Sequence, residues 1–118
     1  MDMTTEQING NGVTLLKLSG RFDVYAAPAV ESLFQNIGTE VSSRIIVNLT
    51  NVNFIDSTGL ATLIIGMKRC RQHQGDLVLC GVQQTVRVIF ELTRLDKILT
   101  IVATQEEAIE KARVQQKR

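Results

Sequence analysis

The spacing of hydrophobic and polar residues divides the chain into strands and helices. An apolar-rich stretch at residues 13–18 predicts a strand, and the segment Gly10-Asn11-Gly12 predicts a tight hairpin turn that joins it to residues 4–9. The first limb of this hairpin is more polar, which is typical of an edge strand. Residues 19–23 break the pattern and are expected to lead into the first helix.

Helical spacing and continuous apolar runs define the middle of the chain. Pro28 suits the first turn of the first helix, Gly38 suits its end, and the inward residues are Val30, Leu33, Phe34 and Ile37. A nearly continuous apolar run at residues 44–49 predicts a central strand covered on both faces. The next helix is expected to reach about His73 and to stop at Gly75, with an outer face of Lys68, Arg69, Arg71 and Gln72.

The C-terminal part continues to alternate between strand and helix. Residues 77–80 predict a buried strand, and Gly81 then leads into a third helix whose inward residues are Val82, Val86, Ile89 and Phe90. A short strand at residues 98–102 precedes a capping box at 104–107, which begins a last helix through Ala108, Ile109 and Ala112 to the basic tail Lys117-Arg118.

The resulting order, β-β-α-β-α-β-α-β-α, predicts an α/β fold. It implies a mixed, mostly parallel central sheet with an opening hairpin and about four helices. The length of 118 residues suits a single domain spanning residues 1–118.

Composition excludes several classes of function. The apolar fraction of 44% is too high for a disordered chain, and a net charge of +1 gives no global attraction to nucleic acid. No apolar run approaches the roughly 20 residues that a membrane span needs, and the polar, acidic N-terminus is unlike a signal peptide. We therefore expect a cytoplasmic protein with no nucleic-acid or membrane partner. Cys70 and Cys80 are expected to be free, buried thiols, and a single histidine leaves a structural metal site without ligands.

The candidate chemistry lies in the polar turn after the central strand, Asn53-Phe54-Ile55-Asp56-Ser57-Thr58-Gly59-Leu60. A hydroxyl at the start of the following helix can serve as a helix cap, an anion site or a modification site. A catalytic serine is disfavoured because the Gly-x-Ser-x-Gly motif is absent and His73 lies about one helix length from Ser57, roughly 20 Å or more. Asp23 and Asp56 form a possible carboxylate pair, but no acid–base partner is evident. No cofactor is expected.

Two interpretations of Ser57 remain open at the level of the residues. In the first, Ser57 only caps the helix, a role for which serine is common. In the second, Ser57 is a phosphorylation switch. A phosphate of charge about −1.5 to −2 would meet free N–H groups and a favourable dipole at the helix start, so the fold would tolerate it. A partner that packs against the neutral turn would then meet bulk and negative charge together.

Two motifs together resemble the anti-sigma factor antagonists, which are small single-domain members of the STAS superfamily. One is Asp56-Ser57-Thr58-Gly59-Leu60, which follows an apolar strand and opens an amphipathic helix. The other is the upstream segment 20–28, Gly-Arg-Phe-Asp-Val-Tyr-Ala-Ala-Pro. The resemblance covers essentially the whole chain and implies the STAS fold.

The resemblance also implies a partner switch. The unphosphorylated antagonist binds an anti-sigma factor that is also a serine kinase, and so releases a sigma factor. The kinase phosphorylates the antagonist with ATP, and a PP2C-type phosphatase reverses the reaction. By motif position, Ser57 is the phosphoacceptor, Thr58 is a possible minor acceptor, and Asp23 and Asp56 belong to the partner-binding surface. Gly59 is expected to let the partner's nucleotide-bearing surface approach closely.

The sequence departs from the family pattern at two positions. Arg21 stands where acidic residues are frequent, which changes the charge offered to a partner, and Ala61 stands where glycine is common. The basic residues Lys68, Arg69 and Arg71 form either a solvated helix face or a contact with an acidic patch. Two other functions stay open: regulation of a different signalling enzyme, and a structural STAS subunit of a transport complex.

Overall fold

The computed structural model describes residues 1–8 and 12–116, which form one five-stranded sheet and four α-helices. The strands are β1 (Asp2–Ile8), β2 (Val13–Phe22), β3 (Arg44–Ile55), β4 (Asp76–Cys80) and β5 (Thr100–Val102). The helices are α1 (Ala27–Phe34), α2 (Ser57–Gln72), α3 (Gln84–Leu92) and α4 (Gln105–Gln116), with a short 3₁₀ turn at Leu95–Lys97. The predicted order of elements is confirmed.

The sheet is mixed, as the sequence predicts. Its strand order is β1-β2-β3-β4-β5, with β1 antiparallel to β2 and every other neighbouring pair parallel. β1 lies at an edge, as its polar sequence indicates, and its residues are exposed except for the half-buried Ile8. The central strand β3 is buried on both faces, which explains its continuous apolar run.

Two apolar cores lie on opposite faces of the sheet. The larger core receives side chains from α1, α2 and α3, including the fully buried Phe34, Leu63 and Phe90. The smaller core receives Ala108 and Ala112 of α4, which pack against residues of β2, β3 and β4. The helices therefore cover the sheet unequally, three on one face and one on the other.

Two strands run further than the sequence pattern predicts. β2 does not end at Leu18 but continues to Phe22, with irregular pairing between Lys17 and Ser19 and between Gly20 and Arg21. Gly20 has a φ of +96°, which favours glycine at this irregularity. β3 likewise extends past the apolar run to Ile55. Because β2 and β3 are parallel, their C-terminal ends lie at the same edge of the sheet. The loops that follow the two strands therefore begin side by side.

Other boundaries differ from the predictions by a few residues. α1 ends at Phe34, and the buried Ile37 pairs instead with Val41 in an isolated bridge. Val82 precedes α3 instead of belonging to it. The hydroxyl of Thr104 accepts from the backbone N–H of Glu107 at 3.2 Å, as expected. The Glu107 carboxylate lies 3.5 Å from that hydroxyl instead of bonding the Thr104 backbone N–H.

Some predictions lie outside the described residues. These are most of the hairpin turn, at residues 9–11, and the basic tail at residues 117–118. The two cysteines are confirmed as free and buried. Burial raises the pKa of Cys70 to about 12, assisted by the nearby Asp76 carboxylate, and burial raises that of Cys80 to about 11. Both thiols are therefore protonated and unreactive near neutral pH.

Candidate functional site

Helix α2 begins at the sheet edge where β2 and β3 end, and Asp56 caps it. The backbone of Asp56 is extended, and its carboxylate accepts a hydrogen bond from the N–H of Gly59 at 2.9 Å. Its own N–H donates to the carbonyl oxygen of Phe22 at 3.3 Å, which joins the turn to β2. The interpretation of Ser57 as the helix cap is therefore wrong, because Asp56 occupies that position.

Ser57 is the first residue of α2 and is exposed. Among the described residues, nothing forms a hydrogen bond with its hydroxyl. The N–H groups of Ser57 and Thr58 belong to the first turn, where helical geometry supplies no carbonyl partner. Thr58 is half-buried, and its carbonyl oxygen accepts from the hydroxyl of Thr62 at 2.8 Å. Ser57 is therefore the more accessible of the two hydroxyl residues.

Gly59 serves internal packing, and its expected role in the approach of a partner stays a prediction. The residue is buried, and a Cβ atom added to it would lie 2.5 Å from the carbonyl oxygen of Phe22 and 2.8 Å from Cγ1 of Ile55. The space that glycine leaves thus faces the ends of β2 and β3. It lets α2 start directly against the sheet, which holds Ser57 at the sheet edge.

Asp23 and Asp56 lie in one network of backbone hydrogen bonds. The second carboxylate oxygen of Asp56 accepts from the N–H of Val24 at 3.0 Å. One oxygen of Asp23 accepts from the N–H groups of Tyr25 and Ala26, both at 3.1 Å. The β2–α1 loop is therefore tied to the α2 turn, which agrees with the expectation that Asp23 and the Ser57 turn share one surface. Their roles in binding stay predictions.

Two neighbouring apolar residues of this loop are exposed, although their sequence pattern alone predicts no role for them. Tyr25 is 90% exposed and Val24 is 52% exposed. Tyr25 also lines a shallow groove between β1 and α1, whose other residues are Met1, Met3, Arg21, Asp23, Ala26 and Ala29. The signal in the sequence was an apolar pair directly after the motif aspartate, within a loop.

Arg21 places a positive charge at the same edge. Its guanidinium carbon lies 3.9 Å from the centre of the Phe54 ring, its cross-strand neighbour. Its Nε lies 3.7 Å from a carboxylate oxygen of Asp23, an ion pair longer than a hydrogen bond. The side chain is 62% exposed. Stacking on Phe54 thus holds a cation that remains accessible to solvent.

Among the described residues, no histidine lies near Ser57. His73 follows the last residue of α2, so the 16-residue helix separates it from Ser57, about 24 Å at 1.5 Å per residue. The Asp23 and Asp56 carboxylates are occupied by backbone N–H groups. Within residues 1–8 and 12–116, no group of three or more histidine, cysteine or acidic side chains could hold a metal ion. In the same residues, no helix is long and apolar enough to cross a membrane.

This fold and turn define a STAS domain. A sequence model of the family, described as "STAS domain", matches residues 3–108, and the chain belongs to that family. It is 29% identical over 101 residues to an anti-sigma-B factor antagonist of Staphylococcus epidermidis, an alignment that covers 86% of this chain and 94% of that protein.

Solved structures of low sequence identity share the fold. One is a putative anti-sigma factor antagonist of Thermotoga maritima, with a TM-score of 0.85 at 23% identity, covering 94% of each chain. Another is the anti-sigma factor antagonist SpoIIAA in its unphosphorylated form, with a TM-score of 0.75 at 23% identity, covering 95% of this chain and 98% of that one. The phosphorylated form of this Bacillus protein gives a TM-score of 0.73 at 23% identity, covering 93% and 98%.

Proposed function

We propose that this chain is an anti-sigma factor antagonist that works by partner switching. In its unphosphorylated form it binds an anti-sigma factor that is also a serine kinase, and this binding frees a sigma factor. The kinase transfers the γ-phosphoryl group of ATP to the Ser57 hydroxyl oxygen, the hydroxyl proton is lost, and ADP leaves. Phosphorylation abolishes binding, and a PP2C-type phosphatase restores it by hydrolysis.

The observation that carries the proposal is the state of the Ser57 hydroxyl. It is exposed at the first position of α2, and no group of the described residues bonds it. Asp56 already caps the helix, so the hydroxyl is not needed for that purpose. An exposed hydroxyl with no structural task suits a group that a kinase must reach.

The local electrostatics suit a reversible phosphate. The free N–H groups of the first turn and the helix dipole favour an anion at this end of α2. Asp56 adds negative charge beside it, so the phosphorylated turn would be strongly anionic. The fold would accept the phosphate, while a partner seated on the unphosphorylated turn would be displaced by the added bulk and negative charge. Switching would then need no refolding of the domain.

The relatives support the class of function. The Staphylococcus epidermidis relative is named an anti-sigma-B factor antagonist. SpoIIAA, which shares this fold, has been solved in unphosphorylated and phosphorylated forms. By this proposal the chain is a substrate and a binding partner, not a catalyst, and it acts in the cytoplasm. Residues Asp23, Asp56, Ser57, Thr58 and Gly59 belong to the binding surface, where Asp23, Asp56 and Gly59 shape the loops that carry it.

Binding to purified kinases tests the proposal. Each anti-sigma factor kinase of the source organism is titrated by calorimetry with the wild type, Ser57→Asp, Ser57→Ala and Thr58→Ala. We expect one kinase to bind the wild type and Ser57→Ala and to lose at least about 100-fold in affinity for Ser57→Asp. With ATP, the kinase should phosphorylate the wild type and Thr58→Ala but not Ser57→Ala. Equal binding of Ser57→Asp and the wild type would show that charge at this position is not the switch.

A further inference from the structure

The loop between β2 and α1 exposes two adjacent apolar side chains. Tyr25 is 90% exposed, the highest value among the large apolar side chains of the described residues, and Val24 is 52% exposed. Burial of such a pair against another protein removes apolar surface from water. Tyrosine is also one of the residue types that most often dominate the binding energy of protein interfaces.

The loop is already ordered in the free domain. The Tyr25 N–H and the Ala26 N–H donate to the Asp23 carboxylate, each at 3.1 Å. The carbonyl oxygen of Asp23 accepts from the N–H groups of Ala26 and Ala27 at 3.0 and 2.9 Å. A partner that binds this loop therefore does not have to order its backbone, which lowers the entropic cost of association.

One hydrogen bond fixes this loop beside the Ser57 turn. The Val24 N–H donates to the carboxylate of Asp56 at 3.0 Å, and Asp56 directly precedes Ser57 in the chain. A partner that covers the exposed Ser57 therefore reaches Val24 and Tyr25 as well. The occupant of the apolar loop is accordingly the same protein that Ser57 controls.

Arg21 is the cation that this surface offers to a partner. Three of the four carboxylate oxygens of Asp23 and Asp56 accept backbone N–H groups, so these acids are largely used inside the domain. The Arg21 guanidinium stacks on Phe54, and its Nε lies 3.7 Å from a carboxylate oxygen of Asp23, too far for a hydrogen bond. Its donors suit a carboxylate, which can accept two parallel hydrogen bonds from arginine.

We propose that Tyr25, with Val24, is the apolar anchor by which this chain docks on its anti-sigma factor partner, which offers a recess for the ring and a carboxylate for Arg21. This inference rests on the proposed function. Tyr25 supplies affinity, and Arg21 supplies specificity, because a partner with a cation at the facing position would be repelled.

Truncation of the anchor is tested by calorimetry against the same purified kinases. Tyr25→Ala is expected to weaken binding about 30-fold or more, and Tyr25→Phe to stay within about threefold of the wild type. Leu92→Ala is the matched control, because Leu92 is 79% exposed on α3 and is not part of this surface. Circular dichroism and thermal unfolding should show that all three variants stay folded, as expected for exposed positions.

Charge reversal tests the second contact. Arg21→Glu is expected to weaken binding about tenfold or more, and Lys111→Glu, an equal change of charge on α4, to leave it unchanged. Acidic residues on the kinase surface are then changed singly to arginine. One of these changes should restore binding of Arg21→Glu while weakening binding of the wild type. Failure of every such kinase variant to restore binding would overturn the carboxylate contact.

The outcomes separate this inference from the proposed function. Absence of wild-type binding to every kinase, or full binding of Ser57→Asp, overturns the proposed function and this docking surface with it. Binding that is lost in Ser57→Asp but unchanged in Tyr25→Ala overturns the anchor alone. Weakened binding of Tyr25→Ala, together with unchanged binding of Leu92→Ala, supports the anchor.

Discussion

The two ends of helix α2 differ in how their polar groups are used. At the C-terminal end, Arg71 donates to Asp76 at 3.0 Å and to the carbonyl oxygen of Ile98 at 2.9 Å. Asp76 also accepts from the hydroxyl of Thr100 at 2.6 Å and from the N–H of Leu77 at 2.9 Å. At the N-terminal end, the Asp56 carboxylate accepts two backbone N–H groups. The neighbouring hydroxyl of Ser57 forms no hydrogen bond with any described residue.

This difference indicates which end stabilises the domain and which end is available to other molecules. The C-terminal network joins α2, β4 and β5, and it gives Arg71 a structural role that the sequence did not indicate. The N-terminal turn is held by the Asp56 carboxylate and by the bond from the Asp56 N–H to Phe22, and it leaves the Ser57 hydroxyl exposed. Three substitutions test this contrast, from the largest expected effect on the free energy of unfolding to the smallest.

Removal of the Asp76 carboxylate should lower the stability of the domain more than the other two substitutions. Asp76→Ala leaves Arg71, Thr100 and the Leu77 N–H without their shared acceptor, and we expect a loss of about 3 kcal/mol in the free energy of unfolding. Urea denaturation measures it. The control is Glu110→Ala, which removes the exposed Arg113–Glu110 ion pair and should cost less than about 0.5 kcal/mol. Equal losses in the two variants would contradict the structural role of the Asp76 network.

Removal of Asp56 should have an intermediate effect. Asp56→Ala deletes the helix cap and the bond to Val24, and we expect a loss of roughly 1–2 kcal/mol. Asp56→Asn, which keeps one acceptor oxygen, should lose about half as much. Amide hydrogen exchange of Val24 and Gly59 should accelerate in the alanine variant. Unchanged exchange at both amides would show that this carboxylate does not hold the turn.

Removal of the Ser57 hydroxyl should hardly change stability. Since Asp56 is the cap, Ser57→Ala is expected to stay within about 0.5 kcal/mol of the wild type in urea denaturation. Replacing a helix-capping serine by alanine typically lowers the free energy of unfolding by about 1 kcal/mol. A loss of that size would return Ser57 to a structural role and would weaken the case for a free phosphoacceptor.

The buried thiols predict a decline of stability at high pH. Burial raises the pKa of Cys70, near the C-terminal end of α2, from 9.0 to about 12. It raises the pKa of Cys80 from 9.0 to about 11. Above pH about 9 the unfolded chain loses thiol protons that the folded chain keeps, so stability is full below that pH and falls as the pH rises toward 11–12. The double variant Cys70→Ala/Cys80→Ala should show a shallower decline between pH 8.5 and 11. An identical decline would exclude the thiols as its cause.

The order of elements and the position of the site could be predicted because they depend on local patterns. The continuous apolar run at residues 44–49 indicates a strand covered on both faces, and Asp56-Ser57-Thr58-Gly59 marks the start of a helix. The expected proximity of the Asp23 loop and the Ser57 turn follows from topology, since parallel strands bring both loops to one edge of the sheet.

Other features depend on contacts distant in sequence and could not be read from local patterns. The continuation of β2 through residues 19–22 requires pairing with the end of β3, which overrides an irregular, glycine-containing sequence. The assignment of the cap to Asp56 instead of Ser57 depends on backbone geometry. The packing role of Gly59 depends on its contact with Phe22. The hydrogen bonding of Arg71 depends on Ile98, which lies in another part of the chain.

The central claim is that the exposed Ser57 hydroxyl is a phosphorylation switch, and mass spectrometry of the protein isolated from its own cells tests it most directly. We predict that a fraction of the intact protein carries one added phosphate, that fragmentation places it on Ser57, and that a PP2C-type phosphatase removes it. Absence of phosphate under every growth condition, or phosphate on another residue alone, would contradict the account.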